Sequence, residues 1–225
     1  MQYEVWGGMM PAVTLKLDQG ESIYTQSGGM AWMTSQISMD TNMGGGLGKG
    51  LGRLFSGESL FMATYTSQAP GQEITIASTV PGEILKYDIN PSYSIIAQKG
   101  AFLCATPGVE LKAYVNKAKS GFFGGEGFVL QQFTGNGVVF CEVDGSVREM
   151  DLAPGQKIKI DTGNVVAWEA SVAYDVETIK GFKNVLFGGE GLFLTTLTGP
   201  GKIWLQTMSK SELASALVPF LPKGN

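Results

Sequence analysis

A short glycine- and glutamate-bearing stretch occurs three times in this chain, and the repetition constrains the fold more than any other feature. Residues 122–137 and 186–201 share the run Phe-Gly-Gly-Glu-Gly, and residues 54–66 carry the diverged form Phe-Ser-Gly-Glu-Ser. The three glutamates, Glu58, Glu126 and Glu190, stand at nearly equal intervals along the chain. Self-similarity at a fixed period is typical of a chain built from repeated structural units.

A second signature repeats with the same period and phase. Residues 17–23 resemble residues 152–158 and, more weakly, residues 87–93, and each of these limbs precedes a glutamate stretch at a similar distance. Two independent signatures with one period predict an internal triplication. We place the units at approximately 1–80, 81–146 and 147–208.

The local pattern within each unit is that of short β-strands. Residues 13–17 alternate apolar and polar side chains, and the chain turns at Gly20 before a second alternating run. The Gly-x-Gly pairs at 135–137 and 199–201 suit hairpins that require positive φ. We therefore expect an all-β protein of three repeated β-sandwich-like units with pseudo-three-fold symmetry, forming a single compact domain over residues 1–225.

The end of the chain changes character. Ser209 and Glu212 form a capping-box pattern, because the glutamate lies three residues after the serine. Leu213, Ala216 and Leu217 then make one apolar stripe, and Pro219 ends the run. These residues predict one short C-terminal helix at 209–219.

Composition and charge exclude several classes of function. The net charge of −4 argues against a surface that follows phosphates, since Lys and Arg carry most of the affinity for nucleic acids. The chain has no histidine, which removes histidine-based triads, general bases and metal ligands. No nucleophile–base pair or cofactor fingerprint is visible, so we expect no enzyme, no cofactor and no bound metal.

The two cysteines and the first residues of the chain indicate the cellular compartment of the protein. Cys104 and Cys141 both lie in apolar runs, and we expect buried reduced thiols, with a disulfide or redox pair as the alternative. The start lacks the basic and apolar regions of a signal peptide, and no stretch approaches the roughly 20 apolar residues that span a bilayer. We expect a cytoplasmic protein.

The glycine-rich connector at residues 43–53 invites comparison with a phosphate-binding loop. The comparison fails, because Met43 stands where the first glycine belongs and Gly50 stands where Ser or Thr must hold Mg²⁺. The simpler interpretation is a flexible connector. The alternative is a contact with an anion, a lipid headgroup or a partner through Lys49 and Arg53.

Two hypotheses also apply to the repeated glutamates. In the first, Glu58, Glu126 and Glu190 each accept hydrogen bonds from their own glycine-bearing turns and stabilise them. In the second, the three carboxylates converge near the pseudo-axis and hold a cation or a proton.

Several of these features together resemble the bacterial branch of the altered-inheritance-of-mitochondria 24 family. The resemblance covers essentially the whole chain and is carried by Tyr3, Glu4, Val5 and Pro11, by residues 15–23 and 28–33, by the glycine-rich connector and by the Phe-Gly-Gly-Glu-Gly copies. It implies repeated small β-sandwich units similar in fold to the tryptophan RNA-binding attenuation protein. It also associates mitochondrial members with inner-membrane organisation.

These observations favour a non-enzymatic β-repeat protein acting as an oligomeric scaffold or interaction module. We expect a homo-oligomer, with a protein or membrane surface as a further partner and no nucleic acid. The alternative is a protein that binds a small ligand or anion in the clefts between repeats. Trp32 and Trp168 fall in equivalent limbs, where core packing or a subunit face is expected.

Overall fold

A computed structural model describes residues 1–26, 28–41, 62–114, 129–178 and 193–221. Within these ranges the chain is almost entirely β-structure, as its alternating pattern predicted. The strands are β1 (Gln2–Trp6), β2 (Ala12–Leu17), β3 (Ser22–Gln26), β4 (Met30–Met33), β5 (Ile37–Asp40), β6 (Met62–Ser67), β7 (Gln72–Ala77), β8 (Gly82–Ile89), β9 (Ile95–Gln98), β10 (Phe102–Ala105), β11 (Val109–Tyr114), β12 (Leu130–Gly135), β13 (Gly137–Asp144), β14 (Val147–Leu152), β15 (Lys157–Asp161), β16 (Val165–Glu169), β17 (Ala173–Thr178), β18 (Phe193–Thr198) and β19 (Gly201–Gln206).

The strands form four antiparallel sheets. The first sheet has the order β1-β2-β7-β4 and the second has the order β5-β6-β3-β10-β13-β8. The third sheet has the order β11-β12-β9-β16-β19-β14, and the fourth has the order β15-β18-β17.

Three apolar cores lie between consecutive sheets, so the sheets are stacked in order. One core joins the first and second sheets around Leu15, Ile23 and Ile74. The next joins the second and third sheets around Phe133, and the last joins the third and fourth around Trp168. The middle sheets are therefore buried on both faces, which explains why all four residues of β10 are buried.

One pairing scheme occurs in each third of the chain. In the segment β2–β7, the first and third strands pair with the sixth, and the second and fourth strands pair with the fifth. The segments β8–β13 and β14–β19 pair in the same way. In all three segments the ladder between the third and sixth strands shifts register at the same place. Each six-stranded sheet combines strands of two consecutive segments.

The expected hairpins at the Gly-x-Gly pairs do not form. β12 and β13 meet at Asn136 yet lie in different sheets, and β18 and β19 are divided in the same way. Gly135 has a φ of +101°, and a Cβ there would lie 2.2 Å from the Gly108 carbonyl oxygen. The glycine is needed for a tight reversal, as predicted, but the reversal carries the chain from one sheet to the next.

The predicted helix is present and begins as its sequence indicated. α1 (Lys210–Leu217) starts with the capping box, in which the Ser209 hydroxyl and the Glu212 side chain each bind the other residue's backbone N–H. A 3-10 turn, Val218–Phe220, contains Pro219 and follows directly. No residue of α1 is buried, so its apolar stripe does not contribute to the core.

Candidate functional site

The repeated glutamates and the connector cations singled out from the sequence lie outside the described part of the chain. Lys49, Arg53 and Glu58 fall within residues 42–61, Glu126 within 115–128 and Glu190 within 179–192. Both hypotheses for the glutamates and the connector therefore stay predictions.

A groove with a volume of about 310 Å³ lies between the second and third sheets. β8 supplies one wall, and β14, β16 and β19 supply the other, so the groove joins two segments of the chain. Its lining combines aromatic and charged side chains: Leu85, Lys86, Tyr87, Asp88, Tyr93, Glu149, Glu169, Lys202 and Trp204. Five of these nine residues are charged, so the groove is more polar than the mostly apolar pockets in which small ligands usually bind.

Glu149 is the most strongly held carboxylate of the groove. It accepts hydrogen bonds from the Lys202 ammonium at 2.6 Å and from the Trp204 indole N–H at 2.8 Å. The hydrogen bond from Lys202 is the main reason that the pKa of Glu149 lies below its usual value. The same bond raises the pKa of Lys202. This pair is a fixed ionic contact at neutral pH.

A second network occupies the other side of the groove. Glu169 accepts the backbone N–H of Lys202 at 3.0 Å and a hydrogen bond from the Tyr93 hydroxyl. Burial, followed by the charge of Glu169, raises the pKa of Tyr93 to about 12. The Tyr93 hydroxyl is therefore protonated at neutral pH.

The Tyr87 hydroxyl differs from its neighbours. Its ring packs edge-on against Trp204 with 4.8 Å between centroids, and the residue is 4% exposed. Its oxygen has no hydrogen-bond partner, and burial raises its pKa well above the usual value. A buried hydroxyl without a partner is costly, so Tyr87 is an unsatisfied polar group in the wall of the groove.

A buried carboxylate lies outside the groove, at the end of β13. Glu142 accepts hydrogen bonds from the Ser78 hydroxyl at 2.9 Å and the Thr79 backbone N–H at 3.0 Å. It also pairs with the Lys210 ammonium of α1. Glu142 therefore ties the first segment and the C-terminal helix to the second sheet.

Two sheet edges form the other notable surface. Among the described strands, β4 has β7 as its single neighbour, and β15 has β18 as its single neighbour. Trp32 on β4 is 55% exposed and packs against Trp6, with 5.9 Å between ring centroids. Trp168, one position further in the equivalent strand β16, is fully buried. One tryptophan thus belongs to the core and the other to an exposed edge.

No sequence motif marks the groove. Its residues come from separate strands, and antiparallel pairing across the third sheet brings Glu149 opposite Trp204. A period-two pattern places a residue on a face of a strand but does not say which strand will be its neighbour. For Trp32 the sequence left core packing and a subunit face both open, and its 55% exposure favours the second.

The described residues contain no group of three or more Cys, Asp or Glu side chains arranged to hold a metal ion. Among them, no helix has the length and apolar character needed to cross a membrane.

Comparisons with known proteins agree with this architecture. A protein of Streptococcus pyogenes serotype M6, described as uncharacterised, is 30% identical over 221 residues, covering 94% of this chain and 87% of the relative. A Streptococcus pyogenes protein solved by X-ray crystallography has a similar structure, with a TM-score of 0.79 and 26% identity. That match covers 98% of this chain and 99% of the other.

The sequence pattern of the family described as "Mitochondrial biogenesis AIM24" matches residues 3–208. This match spans β2 to β19 and all of β1 except Gln2, and it ends before α1. The whole β-structure is therefore characteristic of that family, and the chain belongs to the AIM24 family.

Proposed function

We propose that this protein is a non-enzymatic oligomeric scaffold or interaction module. The observation that supports the proposal best is the pair of edges at β4 and β15, one of them apolar and carrying the exposed Trp32. Edge strands with unpaired backbone groups readily accept another strand, and exposed tryptophans are common at the centres of protein interfaces.

Size-exclusion chromatography with light scattering tests this proposal. The chain has a mass of 23.9 kDa, and we expect a particle of at least twice that mass at micromolar concentration. A particle of single-chain mass across the accessible concentrations would contradict the oligomeric proposal.

We further propose that the three segments are copies of one six-stranded unit related by an approximate three-fold repetition. The shared pairing scheme and the recurring register shift support this. Among the described strands the three units do not close into a ring. A closed ring would need β4 to pair with β15, and these two strands do not pair.

The absence of catalysis is also a proposal. It is supported by the groove, where Glu149 and Glu169 already accept hydrogen bonds from protein donors. A general base works best with a pKa near the operating pH, and the pKa of Glu149 is lowered.

The free thiols Cys104 and Cys141 agree with a reducing compartment such as the cytoplasm. The net charge of −4 disfavours nucleic acid as a partner.

A second candidate function is small-ligand binding in the groove. It is favoured by the buried Tyr87 hydroxyl without a partner, beside the aromatic wall of Trp204. Thermal-shift screening against amino acids, nucleotides, lipids and metal ions tests it, since a ligand at 100 times its Kd stabilises by about 2.7 kcal/mol. A ligand that raises Tm should lose this effect in Tyr87→Phe and keep it in Tyr3→Phe. If no class of compound raises Tm, the ligand-binding proposal fails and the scaffold proposal is the one that stands.

A further inference from the structure

The two junctions between consecutive segments have the same form. In the second sheet β10 pairs with β3 of the preceding segment, and Cys104 lies opposite Thr25. In the third sheet β16 pairs with β9, and Ala167 lies opposite Ala97. Each junction thus joins the third strand of one segment to the second strand of the segment before it.

The two junctions also share one register. Cys104 and Ala167 are equivalent, because each follows the register shift and lies opposite the middle of β13 or β19. Thr25 and Ala97 are equivalent by their pairing with β6 and β12. The junction is therefore a fixed structural rule within this chain.

A third set of the same strands is present but has no such partner. By the same ladders Trp32 of β4 is equivalent to Cys104 and Ala167, and Ile160 of β15 is equivalent to Thr25 and Ala97. Other strands at sheet edges, such as β5, β11 and β17, are at an edge in every segment. The edges β8 and β14 differ from their equivalent β2 only because β1 pairs with β2. Within the described residues, β4 and β15 alone are edges whose equivalents pair with a strand of another segment.

Burial at the equivalent positions shows that the β4 edge lacks a covering strand. Cys104 and Ala167 are completely buried, whereas Trp32 is 55% exposed. A large indole in this position leaves an apolar surface in water. Tryptophan is also the residue most typical of the buried centre of a protein interface.

The charges of the two edges select which strands can pair. β15 carries Lys157, Lys159 and Asp161, whereas β4 has no charged residue. Two β15 strands paired antiparallel about Lys159 would bring this lysine opposite its own copy, and like charges directly opposite destabilise a ladder. Lys159 is already paired with Glu177 in its own sheet, so its charge does not oppose the approach of β4.

We propose that β15 of one copy pairs antiparallel with β4 of a second copy, in the register of the internal junctions. Trp32 of the second copy then lies opposite Ile160, and its Met33 lies opposite Lys159. The fourth sheet of one copy and the first sheet of the next become one continuous sheet. This head-to-tail contact builds a ring or a filament, and it rests on the oligomeric function proposed above.

Site-directed cross-linking tests the pairing and the register together. Met33→Cys and Lys159→Cys are made as separate single variants and mixed before mild oxidation. Residues directly opposite in an antiparallel ladder have Cα atoms about 4.5–5.5 Å apart, within the range of a disulfide. We expect a two-chain product in the mixture and at most a trace in either variant alone.

Ile158→Cys mixed with Met33→Cys is the matched control. A shift of one residue turns the side chain to the opposite face of the sheet, so the cross-linked product should fall at least tenfold. A product from Met33→Cys alone would indicate pairing of two β4 strands and would overturn the proposal.

A second variant tests the interface by the mass of the particle, without cross-linking. Trp32→Asp should reduce the mass in light scattering to that of a single chain. Met39→Asp, on the edge strand β5 with 53% exposure, should leave the mass unchanged. Circular dichroism establishes that both variants keep their β-structure.

The outcomes separate the two proposals. A wild-type protein of single-chain mass overturns both of them. A wild-type oligomer that gives no cross-link between Met33→Cys and Lys159→Cys, or that persists in folded Trp32→Asp, overturns this interface and leaves the scaffold proposal intact.

Discussion

Removing the Glu142 carboxylate should destabilise the protein far more than removing its cationic partner. Glu142 is 5% exposed and accepts charge-assisted hydrogen bonds from the Ser78 hydroxyl and the Thr79 backbone N–H. A hydrogen bond to a charged group contributes about 1.5–3 kcal/mol. Glu142→Ala leaves the Thr79 N–H without its acceptor and the Ser78 hydroxyl with the Val80 carbonyl oxygen at 3.2 Å, and we expect a loss of about 3 kcal/mol in the free energy of unfolding.

The Lys210 ammonium contributes much less to the same cluster. Its side chain is 42% exposed, and an ion pair with an exposed partner contributes less than about 1 kcal/mol. Lys210→Met should therefore cost under about 1 kcal/mol. Glu142→Gln keeps one acceptor oxygen and the side-chain volume, and its cost should lie between the two.

Urea unfolding followed by tryptophan fluorescence measures these differences, and thermal unfolding gives an independent value. For a chain of this size 1 kcal/mol corresponds to about 2–4 °C in Tm, so Glu142→Ala should lower Tm by about 6–12 °C. Glu110→Ala, which removes an exposed pair with Lys112, is the control and should change Tm by less than about 2 °C. A cost below 1 kcal/mol for Glu142→Ala, or an equal cost for Lys210→Met, would refute this account of the cluster.

Three further predictions concern the interior and the groove. Cys104 and Cys141 are buried free thiols whose pKa values are raised by burial, so Ellman's reagent should label neither in the native protein and both in urea. Glu149→Gln should cost under about 1 kcal/mol at pH 7. Because the folded pKa of Glu149 is lowered, that cost should vanish in unfolding curves as the pH falls below about 4. Gly135→Ala should lower Tm by several degrees more than Gly155→Ala, since both glycines have positive φ but only the first Cβ would meet a carbonyl oxygen within 4 Å.

Much of the local structure could be predicted from the sequence. The alternation before Gly20 corresponds to β2, the capping box corresponds to the start of α1, and the two cysteines are free and buried. These features depend on neighbouring residues, and local steric and hydrogen-bonding preferences determine them.

The arrangement of the strands could not be predicted in the same way. The Gly135 turn requires a chain reversal, but the same glycine serves a hairpin or a crossing between sheets. The choice is made by which core the following strand can join, and that depends on residues far away in sequence. The groove has the same origin, because Glu149 and Tyr87 are brought together by the stacking of two sheets.

The sharing of the middle sheets between segments determines how the molecule can come apart. The chain passes from one segment to the next near residues 81 and 147, but in space the segments meet inside continuous hydrogen-bonded sheets, since β3 binds β10 and β9 binds β16. A protease that cut at either border would release pieces with half a sheet and one uncovered apolar face. Fraying should therefore begin at the outermost sheets, and backbone amides of β10 and β16 should be among the last to exchange with deuterium.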